Sequence, residues 1–121
     1  MSYDENNIFA KILRGEIPCN KIYEDNLVLS FYDINPQKKI HALVIPKGKY
    51  IDLDDFSLNA SNEEMVGLLK GINTVAKKLG ISTEVGKGYR ALVNVSHDGG
   101  QEVPHLHFHL FGGEEVGKMV E

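Results

Sequence analysis

The strongest constraint on the fold of this chain is a strict alternation near its C-terminal end, His105-Leu106-His107-Phe108-His109-Leu110-Phe111. Successive side chains of a β-strand point to opposite faces of a sheet. The pattern therefore predicts a strand over residues 103–111 that carries three histidines on one face and apolar side chains on the other. The apolar face belongs against a core, which leaves the histidine face for chemistry.

Two helices are predicted from apolar residues at helical spacing. The first covers residues 7–14 and is stopped by Gly15. The second starts at the capping box Ser61-Asn62-Glu63-Glu64 and ends at Gly80. Residues 48–58 show no clear pattern, and we expect a solvated loop there. The apolar stripe of the second helix consists of Met65, Leu68, Leu69, Ile72, Val75, Ala76 and Leu79.

Four further segments are rich in β-branched, leucine and aromatic residues, which predicts strands. They cover residues 21–24, 27–33, 40–45 and 89–95. The order α-β-β-β-α-β-β predicts an α+β fold, a mostly antiparallel five-stranded sheet with two helices packed against it. We expect one domain over residues 1–121, with residues 114–121 as a flexible tail.

The charge balance and the N-terminus narrow the class of partner. The chain of 121 residues carries 13 basic and 17 acidic residues, a net charge of −4. Its lysines are scattered, which argues against a nucleic acid as partner. Residues 1–5 have neither a basic start nor an apolar stretch, and no apolar run approaches about 18 residues. We therefore expect a cytoplasmic protein that is neither exported nor inserted in a membrane.

The row of histidines is compatible with a metal site, with catalysis, or with surface residues that have no role. Side chains at positions i and i+4 of a strand start about 13 Å apart, at about 3.3 Å of rise per residue. His105, His107 and His109 therefore cannot easily share one zinc ion, although two of them could do so with His41 or His97. Catalysis is chemically natural, since one imidazole can be neutral and attack while a protonated neighbour stabilises charge.

The histidine row resembles the signature of the histidine triad (HIT) family, His-φ-His-φ-His-φ-φ with φ apolar. Other segments resemble the Hint branch of that family, the purine-nucleoside phosphoramidases, and the resemblance extends over residues 8–113. These segments are Ile8-Phe9-Ala10-Lys11-Ile12, Glu16-Ile17-Pro18, Tyr23-Glu24-Asp25, Phe31-Tyr32-Asp33-Ile34-Asn35-Pro36, His41-Ala42-Leu43-Val44-Ile45-Pro46 and Gly99-Gly100-Gln101.

The resemblance implies a catalytic role for four histidines. His107 would be the nucleophile and would form a nucleotidyl-histidine intermediate that water hydrolyses. His105 and His41 would orient and tune it, while His109 would lie near the phosphate and help the leaving group depart.

The resemblance also implies the residues that bind the nucleotide. The carboxylate of Asp33 would bind the ribose, since it can accept hydrogen bonds from the 2′ and 3′ hydroxyls. The phosphate would contact Asn94, Gly100, Gln101 and Glu102. The base would lie between Ile8, Phe9, Ile12, Phe31, Ile34 and Leu43, and of these positions we favour Ile34 and Leu43.

The implied reaction is hydrolysis of a purine nucleoside 5′-phosphoramidate, or of an aminoacyl-adenylate-like compound, to the nucleoside monophosphate. It requires no metal and no cofactor, and the family implies a symmetric homodimer. Alternatives are dinucleoside polyphosphate hydrolysis, nucleotidyl transfer, and a non-catalytic nucleotide-binding or zinc-binding module.

Two residues depart from the pattern of the family. Glu102 stands where animal members carry a serine near the phosphate, and Pro104 stands where an aromatic residue is common. A carboxylate that points at a phosphate would repel it, so we expect Glu102 to face away or to pair with a cation. Pro104 removes one backbone donor. The leaving group is therefore less determined than the reaction.

Overall fold

A computed structural model describes residues 2–119 of the chain. The expected α+β class and the five-stranded sheet are confirmed, and every pair of neighbouring strands is antiparallel. The strand order is β1-β2-β3-β5-β4. In chain order the elements are α1 (Ile8–Leu13), β1 (Lys21–Glu24), β2 (Val28–Tyr32), β3 (Ile40–Pro46), α2 (Leu53–Asn59), α3 (Asn62–Lys78), β4 (Arg90–Val93) and β5 (Phe108–Gly112).

The central strand β3 separates two apolar clusters, because its side chains alternate between the two faces of the sheet. On one face, Ala42 and Val44 join a core completed by β2, α2 and α3, which includes Leu106 and Leu110. On the other face, Leu43 packs in a smaller cluster beneath α1. The members of the smaller cluster are Phe9, Leu29, Phe31, Leu43 and Ile45.

The long helix α3 forms as the sequence predicts. Ser61 and Glu64 make the reciprocal hydrogen bonds of a capping box at its start. The apolar stripe is correct except at Leu69, which is 68% exposed and does not face the sheet. Gly71 is buried instead, and it lies against Val28 closely enough that a Cβ atom would approach that side chain to 2.9 Å.

The prediction of a loop over residues 48–58 is wrong, because α2 occupies most of it and raises the number of helices within residues 2–119 from two to three. Asp52 caps the helix by accepting from the Asp55 N–H, and Phe56 is its one buried side chain. Seven residues with a single buried position make too short a stripe for a helical period to be recognised.

The strand β5 is shorter than the alternation predicts. It begins at Phe108, so His105 and His107 precede the strand. Pro104 has no N–H to donate, the His105 N–H bonds to the Val103 carbonyl, and the Leu106 N–H bonds to the carbonyl of Tyr50. These backbone groups are therefore unavailable for a ladder. Because β5 begins at Phe108, β4 ends at Val93, the residue that pairs with Phe108, and does not reach residue 95.

The C-terminal residues contain no helix or strand up to residue 119. Two contacts hold them against the sheet: the Lys39 N–H donates to the Glu114 carboxylate, and Arg90 donates to the Gly117 carbonyl. Whether residues 114–121 form a flexible tail stays a prediction, and residues 1, 120 and 121 lie outside the described residues. No helix within residues 2–119 is long and apolar enough to cross a membrane.

Candidate active site

Four histidines gather on the side of the sheet that carries Leu43. His41 lies on β3 and His109 on β5, where it pairs with Leu43 in the strand register. His107 is 7% exposed and His105 is completely buried. A cavity of about 350 Å³ opens beside three of these histidines, and His105 does not line it. Its lining is Phe9, Asp33, Asn35, Gln37, His41, Leu43, Leu92, Asn94, Gly100, Glu102, Val103, His107, His109 and Phe111.

The ring of His105 is held at both nitrogens. Nε2 lies 2.9 Å from the Pro46 carbonyl oxygen, which can only accept, so Nε2 carries the proton. Nδ1 is then the acceptor for the hydroxyl of Tyr3, at 2.6 Å. Burial lowers the pKa of His105 to about 4, although the Pro46 carbonyl opposes the shift. His105 is therefore a neutral, fixed ring behind the cavity.

His107 presents an unprotonated nitrogen. Its Nδ1 lies 2.7 Å from the backbone carbonyl oxygen of His105, so the proton is on Nδ1 and the Nε2 lone pair is free. Desolvation lowers the pKa of His107, and its hydrogen bond to His105 and the charges of Asp33 and Glu102 oppose the shift. A neutral imidazole with a free Nε2 lone pair is the form that can attack phosphorus.

His41 and His109 form a chain of donors and acceptors. The Gln37 N–H donates to His41 Nδ1 over 3.2 Å, which places the proton of His41 on Nε2. Nε2 of His41 lies 3.0 Å from Nδ1 of His109, which must accept, so His109 carries its proton on Nε2. That Nε2 is buried and has no partner within residues 2–119. An acceptor atom of a ligand would satisfy this N–H, whose isolation is costly.

The protonation states differ from the mixture of neutral and charged rings expected from the sequence. Burial is the main cause that lowers the pKa of each of the four histidines. For His109 the charges of His107 and His41 lower the pKa further, and its value is about 4. Every ring is therefore largely neutral near pH 7. With respect to residues 2–119, the four histidines offer one free lone pair, on His107, and one free donor, on His109.

Asp33 lies at the edge of the cavity, immediately after β2. One carboxylate oxygen accepts from the Asn35 N–H at 2.8 Å, and the other lies 3.4 Å from Nε2 of His41. Both contacts orient the carboxylate and leave acceptor capacity on each oxygen. The arrangement is compatible with the ribose-binding role expected for Asp33, which no contact in the structure tests.

The residues expected at the phosphate are only partly together. Asn94, Gly100 and Glu102 line the cavity, whereas Gln101 does not. The Gln101 amide accepts from the Ser96 N–H and donates to the carbonyls of Ile51 and Val103, so it holds the turn in shape.

The backbone of this turn is also largely occupied. The N–H groups of Gly100 and Gln101 donate to His97 and Ser96, and neither is free for a phosphate in this conformation. Glu102 is an exposed residue at the lining of the cavity and pairs with no lysine or arginine among residues 2–119, and the direction of its carboxylate stays a prediction.

Only some of the residues expected to bind the base line the cavity. Phe9 and Leu43 line the cavity. Phe31 is buried behind Phe9, with ring centroids 5.6 Å apart. The remaining three, Ile8, Ile12 and Ile34, are absent from the lining, and Ile34 is 87% exposed. Their binding roles stay predictions.

Several site residues were not predicted from the sequence. Leu92 and Phe111 line the cavity, the first as a cross-strand neighbour of His109 and the second as a ring stacked parallel to it. Strand alternation could have placed Phe111 on the histidine face, since it continues the series 105, 107, 109. Tyr3 and Gln37 act through single hydrogen bonds that leave no periodic signal.

The ligand atoms of Asp33, His41 and His109 lie within 4.8 Å of one another, a spacing compatible with a metal ion. The protonation pattern works against it. The Gln37 N–H occupies Nδ1 of His41 and keeps the proton on Nε2, the nitrogen that faces the other two groups. A metal ion needs that nitrogen unprotonated, so binding would require the loss of the contact with Gln37.

Comparisons with known proteins give matches over most of the chain. The HIT domain model matches residues 14–116. The chain is 51% identical to an uncharacterized 13.2 kDa HIT-like protein of Azospirillum brasilense, over 98% of this chain and 95% of that protein. It is 40% identical to the purine nucleoside phosphoramidase of Escherichia coli strain K12, over 96% of this chain and 94% of that protein.

Among solved structures, a HIT family hydrolase from Clostridium thermocellum superposes with a TM-score of 0.84 at 38% identity, covering 98% of this chain and 99% of that one. Both the sequence match and the structural match extend over nearly the whole chain. The protein is therefore a member of the HIT family.

Proposed function

We propose that this protein is a hydrolase that cleaves purine nucleoside 5′-phosphoramidates, or aminoacyl-adenylate-like compounds, to the nucleoside monophosphate. The observation that carries the proposal is the fixed tautomer of His107, whose Nδ1–H is bound to the His105 carbonyl while Nε2 stays free beside the cavity. The name of the related phosphoramidase from Escherichia coli supports the choice of substrate class.

In the proposed reaction, Nε2 of His107 attacks the α-phosphorus, a P–N bond to the ring forms, and the bond to the leaving nitrogen breaks. The leaving nitrogen takes up a proton from solvent and departs as an amine. The ring now bears positive charge, which its Nδ1–H shares with the His105 carbonyl. Water then attacks the same phosphorus and breaks the bond to His107, and its proton passes to solvent.

His109 supports this reaction as a hydrogen-bond donor. Its neutral ring carries the proton on Nε2, a buried N–H that has no partner within residues 2–119. Charge develops on the phosphoryl oxygens and on the leaving group as the bond breaks, and a preorganised N–H stabilises it. His41 keeps His109 in the donating tautomer, because its own Nε2–H occupies Nδ1 of His109.

Glu102 favours an amine as leaving group over a polyphosphate. The residue lines the cavity, its carboxylate pairs with no lysine or arginine among the described residues, and its negative charge raises the pKa of His107. A second, negatively charged phosphate would be repelled there, whereas a departing amine carries no negative charge and would not be repelled. Phosphoramidates are therefore preferred to dinucleoside polyphosphates in this proposal.

The test is the release of adenosine monophosphate from adenosine 5′-phosphoramidate by the wild-type protein, by His107→Ala and by the control His97→Ala. His97 is almost fully exposed in a turn and does not line the cavity. We expect kcat of His107→Ala to fall at least about a thousandfold, as for the removal of other nucleophiles. In the wild type we expect a nucleotidyl adduct on His107. Undiminished turnover in His107→Ala would refute the proposal.

Parallel assays with a dinucleoside polyphosphate separate the two substrate classes. A higher kcat/KM for the polyphosphate would reject the preference argued from Glu102. Nucleotide binding without turnover of either compound would reject catalysis itself. The cytoplasmic location expected from the sequence stays a prediction.

The proposal includes a homodimer. β4 is an edge strand, and its only partner within residues 2–119 is β5. An open cleft of about 970 Å³ runs beside it, lined by residues that include Arg90, Ala91 and Glu114. An unpaired strand edge readily pairs with a second copy. Light scattering that shows a monomer at micromolar concentration would reject this part.

A further inference from the structure

The N-terminal segment reaches the histidine site through Tyr3, which precedes the residues matched by the HIT domain model. The Tyr3 hydroxyl lies 2.6 Å from Nδ1 of His105, and the two rings meet edge to face with centroids 5.6 Å apart. His105 is completely buried. Tyr3 therefore supplies a hydrogen bond to a ring that solvent does not reach.

The direction of this hydrogen bond follows from the other side of the ring. The Pro46 carbonyl requires a donor, so Nε2 of His105 carries the proton and Nδ1 accepts from the Tyr3 hydroxyl. A tight turn holds Tyr3 in place. The carbonyl of Asp4 accepts from both the backbone N–H and the side-chain amide of Asn7, and Asn7 also caps α1.

We propose that Tyr3 is a positioning residue for the nucleophile, acting through His105. The carbonyl of His105 is the acceptor for Nδ1–H of His107, at 2.7 Å, and that contact keeps the Nε2 lone pair available. Tyr3, His105 and His107 thus form one series of hydrogen bonds from the N-terminal segment to the reacting atom. The inference rests on the proposed function, in which His107 is the nucleophile.

Without the hydroxyl, a buried acceptor on His105 has no donor, which favours a shift of the ring and of the carbonyl that orients His107. The variant Tyr3→Phe removes only this oxygen. We expect kcat for adenosine 5′-phosphoramidate to fall about three- to tenfold, the worth of one hydrogen bond, with KM within about twofold, because Tyr3 does not line the cavity.

The matched control is Tyr23→Phe, which removes a tyrosine hydroxyl bound to Asp25 at 2.7 Å in the β1–β2 hairpin, away from the cavity lining. Nitrogen-15 NMR of labelled histidine side chains reports the tautomers directly. We expect the wild type and Tyr23→Phe to show His105 protonated on Nε2 and His107 on Nδ1. In Tyr3→Phe the His107 signals should shift toward a mixture of tautomers.

The inference is overturned if Tyr3→Phe keeps both the wild-type kcat and the wild-type tautomers, even if its melting temperature falls. If the wild type does not hydrolyse the phosphoramidate, the proposed function fails, while the NMR comparison still decides the role of Tyr3. If Tyr3→Phe does not fold, an NMR measurement on the wild type alone tests the inference. A slowly exchanging Tyr3 hydroxyl proton with a cross-peak to the His105 ring is then expected, and its absence rejects the inference.

Discussion

The stability of this protein should decrease steeply in weak acid, with His105 as a main cause. The pKa of His105 in the folded protein is about 4, and the ordinary value for histidine is 6.5. Between these values the unfolded chain binds a proton that the folded protein excludes. Stability is therefore complete above pH 6.5 and decreases as the pH falls toward 4. For this one ring, the loss between pH 7.5 and pH 5 is about 2 kcal/mol.

The perturbation that isolates this contribution is His105→Gln, which keeps a side-chain donor for the Pro46 carbonyl and cannot titrate. Urea unfolding at pH 7.5 and at pH 5 measures the free energy of unfolding of each protein. Whatever the stability of the variant at each pH, its loss of stability from pH 7.5 to pH 5 should be about 2 kcal/mol smaller than that of the wild type. His97→Gln removes a histidine from an exposed turn and serves as the control.

Equal losses for wild type and His105→Gln, within about 0.5 kcal/mol, the usual additivity error, would refute the reasoning. An NMR titration offers an independent check on the wild type, because the His105 ring should remain neutral at pH 5. A His105 ring that becomes protonated near pH 6.5 would show that burial does not exclude the proton.

Three further outcomes follow from the structure. Burial lowers the pKa of His107 below the ordinary histidine value of about 6.5. A pH–rate profile should therefore show a constant kcat/KM for the phosphoramidate from pH 8 to about 6.5 and a decline only in more acidic buffer. A decline that begins near pH 8 would contradict this. Leu110→Ala truncates a fully buried side chain and should cost about 2–5 kcal/mol in urea unfolding. Gln101→Ala removes the acceptor of the Ser96 N–H and the donor to the Ile51 carbonyl, which should lower both kcat/KM and stability, the latter by about 1–3 kcal/mol.

The alternation of residues 105–111 determined more about this protein than any other segment. Leu106 and Leu110 are buried in the core beneath α3, and His107 and His109 line the cavity on the opposite side. The separation extends to the residues before β5: Leu106 lies on irregular backbone and is still buried in the core. The fold class and most strands follow from such local patterns, since apolar periodicity and turn residues are properties of neighbouring positions. The family was recognised from the resemblance of residues 105–111 to its signature.

The tertiary structure alone decided which nitrogen of each histidine carries the proton. The partners that determine this are far away in the chain: Tyr3 is 102 positions and Pro46 is 59 positions from His105, and His41 is 68 positions from His109. A single hydrogen bond has no periodicity, so no local pattern reports it. The same holds for the depth of burial that keeps these rings neutral, because burial depends on how every element packs around the site.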